Sequence, residues 1–399
     1  MTSREPVPAI GAPLALPSGL VLKNRLVKAA MSDSLGDGAG DPTEAQIRLY
    51  ERWAAGGAAL SLIGEVQVDP RYPEKPGNLV LGPEVDMGLV ARLAAAGDSH
   101  DSHVWPQLGH AGALAHGAIS QPAGPSALDL DELRCAGLAE AAVAALPMAY
   151  AAAATRAKAA GFSGVQIHAG HGFLLSQFLS PLFNRRTDQW GGSIEARTQI
   201  VLAIIRQIRA EVGPEFAVAI KINSSDQLEG GLTEADALVA VEMIGRESID
   251  LIDISGGTYF PGAAASSDRA TRGPYFLDFA RKARAVTDTP LMVTGGFKTR
   301  HEASDVVRQG DTDLVGLARA MVVDPALPER WLGGGANVDP RFPRFASTPP
   351  GGVTAWYTMR LTDLAEGDES KTNRSLEEAL EEYEARDAAR VDTWNRRFS

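Results

Sequence analysis

In the stretch GVQIHAGHGFLLSQF, residues 164–178, His168 and His171 stand three residues apart behind a short apolar run. Histidines so spaced serve as metal ligands, as hydrogen-bonded core residues, or as paired donors to a substrate oxygen. A metal site needs a third ligand, and none is evident: the first apolar run carries no His-x-His, and no clear carboxylate ends the neighbouring runs. Two neutral imidazoles aimed at one point would instead polarise a carbonyl or nitro oxygen and stabilise the negative charge developing there.

Other side chains carry chemistry only through their positions. Lys221, in AVAIKI, lies in a segment that reads as buried, so it must face either an anionic or polar ligand or a carboxylate such as Asp253. Gln107 offers both a donor and an acceptor, suited to reading an amide-like ring edge or to satisfying a structural hydrogen bond. TGGF (294–297) with GLARAM (316–321) is either a tight turn or a phosphate cradle, in which the backbone of Gly295 and Gly296 is joined by Ala318 and the cation Arg319.

These residues need elements to hold them. Eight short β-branched or apolar runs recur: LVKAAM, AALSLIGEV, HVWPQL, GVQIH, AVAIKI, DLIDIS, PLMVTG and DLVGLA. Stretches of helical period separate them, such as SIEARTQIVLAIIRQIRAEVG, which opens on Ser193 and closes on Gly213. Continuously apolar strands under crossover helices point to an α/β fold, a (β/α)8 TIM barrel. A doubly wound sheet is the runner-up, but AAMSDSLGDGAGDP carries its glycines in a long acidic loop rather than at a strand-to-helix turn.

In a barrel the working face is the C-terminal edge of the strands. There the reading gathers Met31, Ser32, Glu65, Gln107, His110, His168, His171, Lys221, Asn223, Ser255, Gly295, Gly296 and Arg319. PLALPSGLVLKNR suggests a hairpin closing the barrel floor. The barrel is assigned to residues 1–335. Residues 336–399 form a loop and helical extension, a packing or subunit-contact element with which a homo-oligomer is compatible.

A net charge of −12 argues against a nucleic-acid partner. No run approaches a membrane span, and the charged, proline-containing start lacks a signal-peptide core, so the expectation is a cytoplasmic protein without a membrane partner. Cys135 is the single cysteine, which excludes a cysteine-ligated zinc or an iron–sulfur cluster within this chain.

From about Pro13 to Leu332 the chain resembles the Old Yellow Enzyme family of FMN-dependent oxidoreductases. NRRTDQWGGSIEAR carries the resemblance most specifically, with Trp190 where the family has Tyr, and LKNRLVKAAM, QLGHAG, GVQIHAGHGF, DLIDISGGTY and PLMVTGGF accompany it in order. KINSSDQLEGG followed by SGGTY looks like a bacterial subgroup described as NADH:flavin oxidoreductases or dienoyl-CoA-reductase-like.

The resemblance implies FMN as cofactor, NADH or NADPH as reductant and a small-molecule acceptor. Ala29, Ala30, Met31, Ser32 and Glu65 would lie among the flavin-binding residues, Gln107 at the pyrimidine edge, Lys221 near N1/O2, and Gly295, Gly296, Ala318 and Arg319 at the phosphate. His168 and His171 match the substrate-anchoring pair, with Phe173 and Tyr259 beside the substrate. It further implies a ping-pong cycle in which hydride passes to an α,β-unsaturated carbonyl, nitro compound or quinone.

One departure bears on mechanism. Where the family places a proton-donating tyrosine, this chain has Phe173, which cannot donate. Either the chain is a slower ene-reductase using solvent or another acid, Tyr259 and Tyr72 being candidates, or its reaction does not need that proton. A metal-dependent barrel hydrolase built on the two histidines, and a flavin-binding protein without turnover, are the alternative classes.

Overall fold

The computed structural model describes residues 10–130, 133–260, 273–333, 339–345, 348–369, 371 and 373–398. All eight apolar runs are strands: β1 (Leu26–Met31), β2 (Leu60–Gln67), β3 (His103–Gly109), β4 (Gly164–Ala169), β5 (Ala217–Asn223), β6 (Leu251–Ser255), β7 (Leu291–Thr294) and β8 (Leu314–Leu317). Each pairs in parallel with its neighbours, and β8 pairs with β1 to close the ring as a (β/α)8 barrel. All eight residues of β2 and all seven of β5 are buried, because the barrel interior covers one face and helices cover the other.

Around the ring lie α1 (Glu44–Ala55), α2 (Met87–Gly97), α3 (Glu140–Ala159), the short α4 (Leu174–Leu179), α5 (Ile194–Val212), α6 (Glu234–Gly245), α7 (Leu277–Ala283) and α8 (Arg300–Arg308). Thr43, Ser193, Thr233 and Thr299 cap α1, α5, α6 and α8, each side chain accepting from a backbone N–H of the first turn. Each cap contributes about 1 kcal/mol and fixes where its helix starts relative to the preceding strand. Gly213 ends α5 at φ +77°, as its place in the sequence predicts.

The barrel interior is stratified. Its floor is apolar: Val27, Leu60, Leu62, Trp105, Leu251, Met292 and Leu314 pack there with Leu16 and Leu22 of the N-terminal hairpin, whose short strands pair Leu14 with Leu22. Truncating one such buried leucine to alanine costs about 2–5 kcal/mol. The upper interior is polar, and the functional side chains lie there.

The sequence foresaw a terminal helix but neither its seat at the barrel mouth nor a small inserted hairpin. A small antiparallel hairpin, Leu128–Leu130 with Leu133–Gly137, is inserted between β3 and α3; its residues are mostly exposed, so it leaves no apolar alternation to read. After β8, α9 (Arg319–Val323) and α10 (Leu327–Gly333) complete the ring, and α11 (Gly352–Glu366) packs on α1 and α9. The terminal helix α12 (Leu376–Phe398) lies across the loops that follow β1, β2 and β3. Arg390 donates to Ser34 O at 2.8 Å, Lys75 Nζ sits 5.2 Å from the Tyr383 ring, and Trp394 packs with Val80 and Ile119. The extension therefore roofs one side of its own barrel mouth. The expected boundary at 335/336 lies outside the described residues. Among the described residues, no helix is long and apolar enough to cross a membrane.

Candidate active site

Strand register builds the site. His168 of β4 stands opposite Lys221 of β5, and Lys221 opposite Asp253 of β6, so all three side chains point to the same face at one level. Lys221 Nζ donates to Asp253 Oδ2 at 2.7 Å, and both groups are fully buried. Asp253 also accepts from Thr294 Oγ1 at 2.7 Å and from Gln166 Nε2 at 3.3 Å, while Gln166 Oε1 accepts from Gln107 at 2.6 Å. A buried ion pair is tolerable only when its remaining hydrogen-bonding sites are filled, and here Thr294 and Gln166 fill those of Asp253. Of the two readings of Lys221, the carboxylate partner is present, and the ammonium also borders the upper interior.

His171 lies in the loop after β4, at φ +59°. Asn223 Oδ1 accepts from its backbone N–H at 3.0 Å, and its carbonyl accepts from Tyr259 N at 3.0 Å. The β4 and β6 loops thus pair, with Gly172 between them: at φ +82° a Cβ there would lie 2.0 Å from Thr258 Oγ1. Only glycine fits that approach.

The imidazoles form the middle of a chain of close contacts. His168 Nε2 is 3.1 Å from His171 Nδ1, and His171 Nε2 is 2.8 Å from Ser255 Oγ. On the other edge of His168, Nδ1 is 2.9 Å from Glu65 Oε1, close but poorly aligned for a hydrogen bond, and Glu65 Oε2 has no protein partner. Burial first and Lys221 second push His168 down to about 3, and burial, then His168, then Lys221 push His171 well below the usual range, so both are neutral. Burial likewise pushes Glu65 up to about 8, with Lys221 opposing.

Glu65 corrects the sequence reading, which found no clear carboxylate beside the pair. It reaches His168 because β2 breaks register with β3 between Ile63 and Val66 and Glu65 takes φ +57°, a bulge that re-aims one side chain. Its contact is with the far edge of His168, while the inner nitrogens face each other, so the three groups do not converge on one point. Among the described residues no cluster of three or more His, Cys, Asp or Glu could hold a metal ion.

Aromatic rings line the mouth. Phe173, 2% exposed, has its ring centroid 5.0 Å from that of His168, and Tyr259, 60% exposed, lies 5.8 Å from both Phe173 and His171. Tyr72 packs near Phe173 and stacks on His110 at 4.4 Å. His110 is structural: it is buried, its Nδ1 accepts from Gly112 N at 3.0 Å, and burial holds it down to about 4.

The remaining sequence candidates surround the same mouth. Ala29 is buried, while Ala30, Met31 and Ser32 are half-buried at the end of β1. Gly295 (φ +111°) and Gly296 (φ +86°) end β7, beside half-buried Ala318 and Arg319 at the end of β8; the Arg319 guanidinium lies 5.7 Å from the Tyr357 ring. An apolar edge, the donors Gln107 and Lys221, and a glycine rim with an arginine fit a flat heterocycle with a polar edge and a phosphate tail.

Sequence reasoning missed Gln166 and Thr294. Gln166 was within reach, since it precedes His168 by two residues on the same strand face. The stretch NRRTDQWGGSIEAR proves to be a brace: Asn184 donates to Phe178 O and Trp190 O, Arg186 pairs with Asp188, and buried Arg197 bonds Leu179 O and Asp236. These bonds hold the segment that follows the histidines.

The sequence profile of the NADH:flavin oxidoreductase / NADH oxidase family matches residues 10–334. An NADH-dependent flavin oxidoreductase, iliE, of Neonectria sp. (strain DH2) is 37% identical over 80% of this chain, which spans 46% of that relative. The protein of the same name from Hypocrea jecorina is 35% identical, over 79% of this chain and 87% of its own length. Among solved structures, morphinone reductase superposes with a TM-score of 0.72 at 25% identity, covering 84% of this chain and 92% of its own. A 2-naphthoyl-CoA reductase complex does so with 0.77 at 26%, over 82% of this chain and 52% of its own. The chain belongs to the NADH:flavin oxidoreductase / NADH oxidase family.

Proposed function

We propose that this protein oxidises NADH or NADPH and passes the hydride to an electron-poor small molecule, an α,β-unsaturated carbonyl, nitro compound or quinone, in a ping-pong cycle. The observation that carries the reading is the His168–His171 pair, two neutral imidazoles with facing nitrogens 3.1 Å apart at the mouth of the barrel. Such nitrogens can donate together to one acceptor oxygen and stabilise its developing charge without a metal. The names of the solved neighbours, morphinone reductase and 2-naphthoyl-CoA reductase, agree with reduction of an acceptor of this kind.

Bound FMN would supply the two-electron chemistry, taking hydride from the nicotinamide and releasing it to the acceptor. Ala29, Ala30 and Met31 would pack against its ring with Ser32 and Glu65 nearby, Gln107 and Lys221 would meet its polar edge, and Gly295, Gly296, Ala318 and Arg319 would hold its phosphate. Lys221, held by Asp253 at 2.7 Å in a buried position, would stabilise an anionic ring. Phe173 and Tyr259 would pack beside the acceptor.

The visible spectrum of the purified protein tests this reading first. It expects a flavin band that NADH or NADPH bleaches anaerobically and that enones, nitro compounds or quinones restore. A flavin band that neither nucleotide bleaches would favour a binding protein without turnover. Absence of flavin together with stoichiometric zinc would favour the hydrolase.

A further inference from the structure

The tautomers of the two histidines contain a constraint. For both to donate to one acceptor oxygen, His168 must carry its proton on Nε2 and His171 on Nδ1, the two nitrogens that face each other. Each outer nitrogen is then bare and needs a donor. Ser255 Oγ, 2.8 Å from His171 Nε2, can supply one from its hydroxyl. The group at the outer nitrogen of His168 is Glu65, which can donate only as a carboxylic acid.

We propose that Glu65 is the proton store of the reduction: its carboxylic proton fixes the His168 tautomer and is relayed through that ring onto the anchored oxygen of the acceptor. The proposal rests on the functional reading above and supplies the acid that Phe173 cannot. When hydride reaches the β-carbon, the alkene electron pair moves to form the enolate. The enolate oxygen takes the proton from His168 Nε2, His168 Nδ1 takes the proton from Glu65 Oε1, and Glu65 is left as a carboxylate that solvent reprotonates. The product leaves as its enol and tautomerises in water. Protonation on oxygen requires no donor over the α-carbon, and Phe173 offers none.

The groups that face Glu65 are His168 from β4, Lys221 from β5, Glu74 from the loop after its own strand, Tyr150 from α3 and Tyr259 from the loop after β6. Lys221 favours the carboxylate, but burial outweighs it and keeps Glu65 protonated up to about pH 8. Glu74 is itself pushed up to about 7, by burial first and by Glu65 second. The contact between Glu65 and His168 is short but misaligned, as catalytic hydrogen bonds often are before a ligand binds.

Product stereochemistry tests the relay on the unaltered, FMN-loaded protein. Reduction of a 2-methyl cyclic enone gives racemic 2-methyl ketone, with solvent deuterium entering both faces of the α-carbon. In Glu65→Gln, enone-driven reoxidation falls about 10²- to 10⁴-fold relative to that variant's own anaerobic flavin reduction by NADH, and it loses its decline above about pH 8. Infrared difference spectra of the flavin-free protein show a carboxylic acid band that vanishes as pH rises through about 8 and is missing from Glu65→Gln. A single product enantiomer, a Glu65→Gln variant reoxidised at the original rate, or loss of the alkaline decline in Tyr259→Phe instead overturns the proposal. Flavin that no nicotinamide nucleotide reduces overturns the broader functional reading instead.

Discussion

His168 Nε2 and His171 Nδ1 lie 3.1 Å apart, so that without a ligand the two rings share one hydrogen between nitrogens that would otherwise both face an acceptor oxygen. The rings come from different environments. His168 ends a strand and is 1% exposed; His171 sits in a left-handed turn held by Asn223 and the β6 loop. Backbone pairing, rather than the spacing of three alone, sets their separation.

Replacing both rings separates anchoring from cofactor binding. His168→Ala with His171→Ala should lose the long-wavelength absorption band formed with phenolic ligands while retaining FMN. Removing one such donor typically costs about 10²- to 10³-fold in rate, and the double variant should slow enone-driven reoxidation by at least that much. Titration of the flavin-loaded variant with a phenol, followed by stopped-flow reoxidation, checks both; loss of FMN would assign the pair to cofactor binding.

Phe173→Tyr should restore a donor over the acceptor. Phe173 packs against both His168 and Tyr259 in the cluster of rings at the mouth. Reoxidation by an enone should speed up, by no more than the ~10²- to 10⁴-fold that general-acid help provides, and a 2-methyl enone should now give one enantiomer in excess. Flavin reduction by NADH should be unchanged. Chiral analysis of the product beside both half-reaction rates decides it.

Lys221→Met leaves Asp253 buried without its cation and should destabilise the fold by about 3–5 kcal/mol. Asp253→Asn in the same chain should recover much of that loss, because the amide still accepts from Thr294 without carrying a charge. Urea unfolding of the flavin-free proteins measures both, and equal stabilities of the single and double variants would contradict the pairing.

Glu65 should make stability depend on pH. Its folded-state carboxyl is raised from 4.5 to about 8, so between those values the unfolded chain releases a proton that the native protein keeps. Stability therefore falls as pH rises across that window and levels off above it, by at most about 5 kcal/mol. In flavin-free Glu65→Gln this slope should flatten, since glutamine does not titrate. Urea midpoints across the window provide the measurement.

Much of the architecture is legible because it is local. A short, continuously apolar run marks each barrel strand, threonine or serine ahead of a helical run marks its start, and parallel order follows from their alternation. His168, His171 and Phe173 are legible as a group because they share one strand end and the turn after it.

What the tertiary structure alone decided are the partners that lie far apart in the chain. Lys221 reads first as a ligand-facing cation and second as a paired one until closure of the barrel sets β5 beside β6 and brings Asp253 within 2.7 Å. Glu65 turns toward His168 only because β2 bulges between Ile63 and Val66, and α12 reaches the mouth because Trp394 finds an apolar seat beside Val80 and Ile119. Sequence periodicity determines which face a side chain takes on its own strand or helix; which side chain it meets depends on register and closure, which are properties of the assembled sheet.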